Sequence, residues 1–385
     1  PTGLDEATGL VSLGAYNSSN DRRNLIGQTD LIWNGRLGGV EQTILVGVEL
    51  GRQKSRNQRV SGSFAGGANK VSLSDPTVSA DITFTPSASD ANNRTRADIA
   101  AIYLQDQIRL SPGLEIVAGI RFDRFKLSVD DLRGAGAEFA RKDTMVSPRL
   151  GVIAKPRSNL SLYASYSRSF LPQSGDQFGG LSLQTEALKP ERFDNYELGA
   201  KWEPLSGLLA TAAIYQLDRS NSVATDPADP ARLVLTGEQR SRGIELGLER
   251  SISDRWQVSA GYTLQKAEIR ERTTACDPQA ESCEVPLVPR HSFSLWNRYD
   301  VNAQLGLGLG VIARSKSYAS LSNAVELPGY ARVDAAAFYK FARGIEAQVN
   351  VENLLGADYF PTAHNDNNIA PGAPTTIKAT VRFGF

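Results

Sequence analysis

The side chains that could do chemistry are few and scattered. His291 and His364 are the only histidines in the 385 residues. Neither stands in a Ser-His-Asp arrangement or a zinc-ligand spacing, and no nucleophile elbow or Gly-rich phosphate loop is present. Carboxylates are abundant, and a hydrolase working by general acid and base needs only a suitably placed pair. Here they recur on one side of alternating segments, as in Glu245 and Glu249 or Glu346 and Glu352. Such rows read as solvated wall. An enzyme, for example a barrel lipase, is therefore disfavoured: no catalytic residue and no protein-held metal is expected. The remaining reactive pair is Cys276 and Cys283, in CDPQAESC. Its spacing can close a small disulfide loop, which would fit an oxidising compartment, while two unpaired thiols are the alternative.

The elements that must position these residues follow from composition and alternation. Forty-two basic and 42 acidic side chains leave a net charge of zero, which gives no support to a nucleic-acid partner. No run of about 18 apolar residues occurs, so a helical membrane span is excluded. No signal peptide is visible at Pro1; either it has been removed or the chain begins partway through a longer precursor. No Pro- or Ser-rich linker divides the sequence, and the expectation is one domain over 1–385. The texture throughout is short apolar/polar alternation punctuated by Gly, Asn, Asp and Ser, the mark of an all-β chain.

The end of the chain shows this most cleanly. Ile377, Ala379, Val381, Phe383 and Phe385 alternate with Lys378, Thr380, Arg382 and Gly384. Alternate side chains lie on opposite faces of a strand, so one face is apolar and the other wet. The same holds for Ile345 to Val351, for Ile244 to Leu248 against Glu245 to Glu249, and for Trp256 to Leu264 against Gln257 to Gln265. So many charges facing one way suit a water-filled lumen, because unpaired charge in a dry core is costly. About sixteen strands are predicted on a spanning template of roughly 9–11 residues. They lie near 9–19, 23–35, 41–52, 96–110, 114–129, 141–155, 160–171, 191–203, 208–221, 233–251, 256–270, 289–301, 305–317, 329–341, 345–355 and 375–385. Short turns, such as Ser111-Pro112-Gly113 and Ser253-Asp254-Arg255, alternate with long loops near 53–95, 172–190, 222–232, 271–288, 318–328 and 356–374. That is the outer-membrane pattern, with turns periplasmic and loops outside. Trp33, Trp202, Trp256, Tyr299 and Phe341, near strand ends, suit interfacial girdles. The fold class is an antiparallel transmembrane β-barrel.

Several segments resemble one family, the TonB-dependent siderophore receptors of the Gram-negative outer membrane. They are SLYASYSRSFLP (161–172), ALKPERFDNYELGAKW (187–202), RSRGIELGLERSISDRWQVSAGYTLQKAEI (240–269), VPRHSFSLWNRYDV (288–301), LPGYARVDAAAFYKF (327–341) and VNVENLLGADYF (349–360). The last loop and strand look like those of ferric-catecholate receptors. The resemblance implies a plug domain inside a 22-stranded barrel. With about sixteen strands and no plug or TonB-contacting box, the chain reads as the C-terminal part of such a receptor; a sixteen-stranded barrel closing on itself is the alternative. The implied function is TonB-driven uptake of a ferric siderophore, with a passive porin-like channel or an inactive plugless fragment as the other readings. Iron would arrive inside its chelator as cargo, without a covalently bound cofactor. The partners implied are outer-membrane lipid and lipopolysaccharide, the TonB complex only through a plug, and no second subunit. A bulky, often anionic ferric complex calls for aromatic faces with cationic or amide groups at the mouth. The residues offered for it are Arg168, Phe170, Gln177, Phe178, Arg240, Arg242, Tyr318, Tyr359, Phe360 and His364. A basic stretch at Arg52, Lys54, Arg56 and Arg59 offers rim contacts, with lipopolysaccharide phosphates as the competing ligand.

Overall fold

The computed structural model describes residues 3–384 apart from 6, 135, 174–180, 182–184, 187, 227–228, 271–282 and 343. Its main sheet is one antiparallel series in which each long strand pairs with its neighbours along the chain. The strands are β1 (Ala15–Leu37), β2 (Val40–Phe64), β3 (Asn92–Ser111), β4 (Leu114–Asp131), β5 (Ala137–Arg157), β6 (Leu160–Leu171), β7 (Glu191–Leu205) and β8 (Leu208–Asp226). They continue as β9 (Asp229–Ser253), β10 (Trp256–Ile269), β11 (His291–Asp300), β12 (Leu305–Arg314), β13 (Tyr330–Ala342), β14 (Ile345–Glu352) and β15 (Thr376–Phe383). A sixteenth, short strand, Ile82–Thr85, pairs with the end of β2. By packing, the chain divides into two compact units: Pro1–Ile108 with Val117–Arg149 and Arg168–Arg192, and Arg109–Ile116 with Leu150–Ser167 and Phe193–Phe385.

Antiparallel neighbours can be joined by two-residue turns, and the short connections use them. Between β1 and β2 both turn residues, Gly38 and Gly39, have positive φ (60° and 84°). That is the requirement of a type I′ hairpin, which only residues without a Cβ meet freely.

The two faces separate as the alternation predicts. On β9, Ile244, Leu246 and Leu248 are 42%, 47% and 39% exposed, and they are paired in register with Ile214, Ala212 and Ala210 of β8. A broad exposed apolar face in a sheet with a charged opposite face needs an apolar solvent. On the polar face several of the charges are paired along single strands. Residues i and i+2 share a face, roughly 6.5 Å apart, and an arginine spans that gap to a carboxylate. Arg121 holds Asp123 at 2.8 Å and reaches across to Glu49 at 3.0 Å. Arg298 holds Asp300 at 3.2 Å, and Arg332 holds Asp334 at 2.7 Å. Lys155 and Arg109 share the buried Glu115 at 2.8 and 3.5 Å. Several glycines on this face are roofed by aromatics: Tyr163 covers Gly199, and Trp296 covers Gly308 and Gly310.

The differences from the sequence reading lie at the outer strand ends. The predicted strands 9–19 and 23–35 are not two strands of this sheet. Leu10–Ser12 belongs to a separate small sheet with Gly3–Asp5 and Lys70–Ser72, and Ala15–Leu37 is a single strand. Its polar run, NSSNDRRN, stays in register with β2, from Asn17 opposite Val60 to Asn24 opposite Gln53. Above the apolar band both faces meet water, so alternation no longer marks a strand there. For the same reason β2 runs on to Phe64 through the expected loop 53–95, and β8 and β9 extend to Asp226 and from Asp229 across the expected loop 222–232.

An arginine placed in the apolar band should therefore be costly, and one on the polar face should not. Leu246→Arg is expected to lower stability by about 2–4 kcal/mol, and Gln257→Lys by under about 0.5 kcal/mol. Urea unfolding of the protein in liposomes, followed by tryptophan fluorescence, measures both; equal effects would contradict the assignment of faces.

Candidate functional site

In each unit the candidate site is the set of strand ends opposite the short turns, where the long connections lie. In the second unit it is built from three chain segments: 283–290 before β11, 315–329 between β12 and β13, and 353–375 between β14 and β15.

Asn353 anchors the last of these. It is 1% exposed and has φ of 53°, a left-handed conformation that Asn tolerates better than most residues. Its Nδ2 donates to the carbonyls of Ala357 (2.9 Å) and Ala373 (3.1 Å), and its Oδ1 accepts from the Ala357 amide at 2.8 Å. The Thr375 hydroxyl donates to its carbonyl at 2.7 Å, while its own amide donates to Asp334 Oδ1 of β13 at 2.8 Å. Both ends of the loop are thus tied to one side chain, and that residue is tied to a wall strand. Arg332 extends the network, donating to Asp334 at 2.7 Å and to the Tyr359 hydroxyl at 3.1 Å. The Tyr359 ring lies 4.7 Å from that of Tyr330 and rests on Gly372, where an added Cβ would come within 2.3 Å of it.

The other two segments lock onto this one. Asn323, also with positive φ, pairs with the Glu284 backbone, accepting from its amide at 2.6 Å and donating to its carbonyl at 3.0 Å. The Ser322 hydroxyl donates to Asp366 Oδ2 at 2.7 Å. Ala319, Leu327 and Ala363 form one small apolar cluster, and Ile269, Cys283 and Leu321 another. Lys316 pairs with Glu326, and this hydrogen bond and charge raise the lysine's pKa above its ordinary value. The lysine's side of the pair is therefore charged at neutral pH and is lost as pH climbs through that raised value.

The first unit carries its own outer assembly. Arg141, 8% exposed, donates to the carbonyls of Gln173 (3.2 Å), Thr185 (3.1 Å) and Leu188 (2.7 Å) and pairs with Asp143 at 2.8 Å. Beside it Ala97, Phe125, Leu127, Val129, Met145 and Leu181 form a buried cluster on which Phe170 packs.

The residues predicted from sequence are not gathered in one place. Tyr359 is buried and structural, Phe170 is committed to packing, and Tyr318 sits half-buried in a two-residue strand pair with Leu327 and Glu326. Phe360 and His364 are exposed on the last loop, and Arg168 is half-buried near the end of β6. Arg240 and Arg242 stand elsewhere. They share the parity of Ile244 and Leu246 along an unbroken register, so they continue the apolar face, and Arg240 is paired with Asp218 at 2.6 Å. His291 also lies on that face, with Nδ1 2.8 Å from the Tyr262 hydroxyl. Gln177, Phe178, Cys276 and Phe385 lie outside the described residues; Cys283 is disulfide-bonded. Sequence reasoning missed Arg141, Arg332 and Asn353. The first two carried a legible signal, Arg-x-Asp at i and i+2; for Asn353 the only signal was its place in ENLLG at the close of a strand.

Fold and site together describe a membrane β-sheet with interlocked outer loops, and the comparisons with known proteins agree. Residues 2–354 match the family described as TonB dependent receptor-like, beta-barrel. The chain belongs to that family of bacterial outer-membrane proteins. It is 31% identical over 302 residues to a probable TonB-dependent siderophore receptor, PiuA, of Acinetobacter baumannii, covering 74% of this chain and 40% of the relative. It is 27% identical over 400 residues to the catecholate siderophore receptor Fiu of Escherichia coli K12, covering 94% and 51%. The crystal structure of PiuA superimposes with a TM-score of 0.85 at 24% identity, over 97% of this chain and 57% of that one. The chain thus spans about half the length of the relatives it matches, or less. The family consists of receptors and transporters and not of enzymes.

If Asn353 pins the last loop, Asn353→Ala should loosen it locally, at a cost of about 2–4 kcal/mol for three side-chain hydrogen bonds. Amide exchange is expected to rise within 354–375 and to stay unchanged in β8–β10; unchanged protection of 354–375 would contradict the pinning.

Proposed function

We propose that the protein works as an outer-membrane receptor for ferric siderophore uptake driven by TonB. The observation that carries this reading is the family match across residues 2–354, with relatives over most of the chain named as siderophore receptors. The outer loops support it. They are cross-braced by Asn353, Asn323 and Arg332, which suits a mouth that holds a bulky ligand in a set shape. Iron comes as cargo already satisfied by its chelator, so the protein needs no resident cofactor and supplies shape, aromatic faces and hydrogen bonds.

Phe360 and His364, exposed on the last loop, are the ligand contacts we favour in the second unit, and Arg168 stays in the proposed set as a cationic group of the first. Gln177 and Phe178 stay in the proposed set by their place in the sequence. Tyr318 and Tyr359 act by holding the loops that present them, and Phe170 by packing. Cys276 and Cys283 are the proposed disulfide pair, and Cys283 packs with Ile269 and Leu321. The working unit is a monomer, and energy enters through TonB.

The test is uptake of radiolabelled iron on a panel of siderophores by iron-starved cells that express the full-length protein as their sole siderophore receptor. At least one complex is expected to enter, and entry should stop in a tonB mutant or under a protonophore. Phe360→Ala with His364→Ala should lower affinity about tenfold, the order expected for a stacked and hydrogen-bonded pair of contacts. Entry that is indifferent to the proton gradient, alongside free passage of small sugars, would contradict the receptor reading and favour a passive channel.

A further inference from the structure

The basic stretch at Arg52, Lys54, Arg56 and Arg59 does not act as one group. β1 and β2 pair without a register shift from Ala15 opposite Gly62 to Leu37 opposite Val40, so faces can be counted along their whole length. Arg52, Lys54 and Arg56 share the parity of Val46, Val48 and Leu50, the exposed apolar side. Arg59 has the opposite parity, that of Glu49, and lies on the polar side. On β1 the positions paired with that side are Tyr16, Ser18, Asn20, Arg22 and Asn24, in phase with Gln28 and Asp30.

Beyond the apolar band these polar-side residues form a patch unlike the paired wall nearer the turns. Asn20 donates to Asn57, and Asn57 Nδ2 donates to Asn93 Oδ1 at 2.7 Å. The three amides form a chain that runs one way. It leaves an acceptor, Asn20 Oδ1, at one end and a donor, Asn93 Nδ2, at the other. Arg59 stands in the row beyond it, opposite Ser18, and Arg22 in the row before it, opposite Ser55. The two rows are roughly 13 Å apart along the strand. Neither arginine has the aspartate two residues on that holds Arg121 and Arg332; those positions are Asn24 and Ser61. Arg22 has no hydrogen-bond or ion-pair partner among the described residues. Arg59 lies 3.9 Å over the ring of Tyr16, which is 61% exposed. Its nearest carboxylate is Asp90, at 3.8 Å. Asp90 is already satisfied, accepting from the Ser61 amide, the Ser61 hydroxyl and the Ser87 amide, each at 2.8 Å. The guanidinium edges of both arginines are thus left for something else.

We propose that this patch is a specificity-determining contact surface for the cargo, and that it favours ferric complexes whose chelator contains amide links. The proposal rests on the receptor reading and adds to it the first unit's share of recognition. Arg22 and Arg59 donate to the iron-bound oxygens, where the chelate's negative charge lies. The amide chain reads the links between them: Asn93 donates to a carbonyl, and Asn20 accepts from an N–H. A polycarboxylate chelate offers acceptors only, so it would leave the Asn20 acceptor unmatched. Tyr16 is a positioning residue, holding the Arg59 guanidinium by its face and leaving the edge free.

Tryptophan fluorescence quenching of the full-length protein in detergent tests this with three ferric complexes: a cyclic-peptide trihydroxamate, an amide-linked tricatecholate, and citrate. At least one of the two amide-bearing complexes should bind wild type about tenfold or more tightly than ferric citrate. R22Q/R59Q should bind that complex about tenfold more weakly, the order expected for lost charge-assisted hydrogen bonds. R22K/R59K and the short-turn control R255Q should retain most of the affinity. N57A should also lose about tenfold for the amide-bearing complex and leave the affinity for ferric citrate unchanged, a loss of preference that a merely structural role would not produce. Heat-modifiable electrophoretic mobility reports whether each variant is folded; if N57A is not, R22Q/R59Q and the wild-type ranking decide. Unchanged affinity in a folded R22Q/R59Q or N57A, a preference for ferric citrate, or binding of none of the three would each overturn the proposal. Proton-driven uptake of some other siderophore would in that case leave the receptor reading standing.

Discussion

A strand that crosses hydrocarbon has no water to hydrogen-bond its backbone, so every amide and carbonyl must find a partner in the sheet. The rest of this structure depends on that constraint. It explains why each long strand pairs with its chain neighbours, and why the turns on one side are as short as Gly38–Gly39. It also leaves the side chains free to divide by parity. One parity meets lipid and is apolar through the band; the other can be as polar as a watery interior allows.

The polar parity has a requirement of its own. Charges that line a narrow interior are only partly solvated, and an isolated one would be costly. The chain answers with pairs two residues apart on one strand: Arg121 with Asp123, Arg141 with Asp143, Arg298 with Asp300, Arg332 with Asp334. Such a pair needs no particular neighbouring strand, so it survives changes of register or of the strand beside it. At the outer end the same device is turned to another use. Arg141 and Arg332 keep their own-strand aspartates and turn further donors to loops, the first to three backbone carbonyls and the second to Tyr359. Wall strands and mouth are in this way parts of one polar network within each unit.

How far this was legible follows from where alternation operates. Within the band it operates fully, and the predicted strands 191–203 and 256–270 correspond to Glu191–Leu205 and Trp256–Ile269. Beyond the band both faces are wet, so residues 20–22 read as a break inside what is one continuous strand held in register by β2. The candidate ligand residues fared unevenly for a related reason. Arg240 and Arg242 were chosen by type, although counting in twos from Ile244 places them on the outward face. Tyr359 was recognisable as a mouth residue, but its burial comes from Gly372, thirteen positions away, and from Arg332 on another strand. Contacts between loops leave no period in a sequence. The Arg-x-Asp pairs do leave one, and they were there to be counted.

The central claim is that parity along a strand decides which side chains meet lipid and which meet water. Single spin labels placed in turn at positions 243 to 249 of β9, in the full-length protein reconstituted in liposomes, test it directly through collision with oxygen and with a water-soluble nickel chelate. The account predicts that 244, 246 and 248 relax with oxygen and 243, 245, 247 and 249 with nickel, in strict alternation. Labels that respond alike at odd and even positions would contradict it.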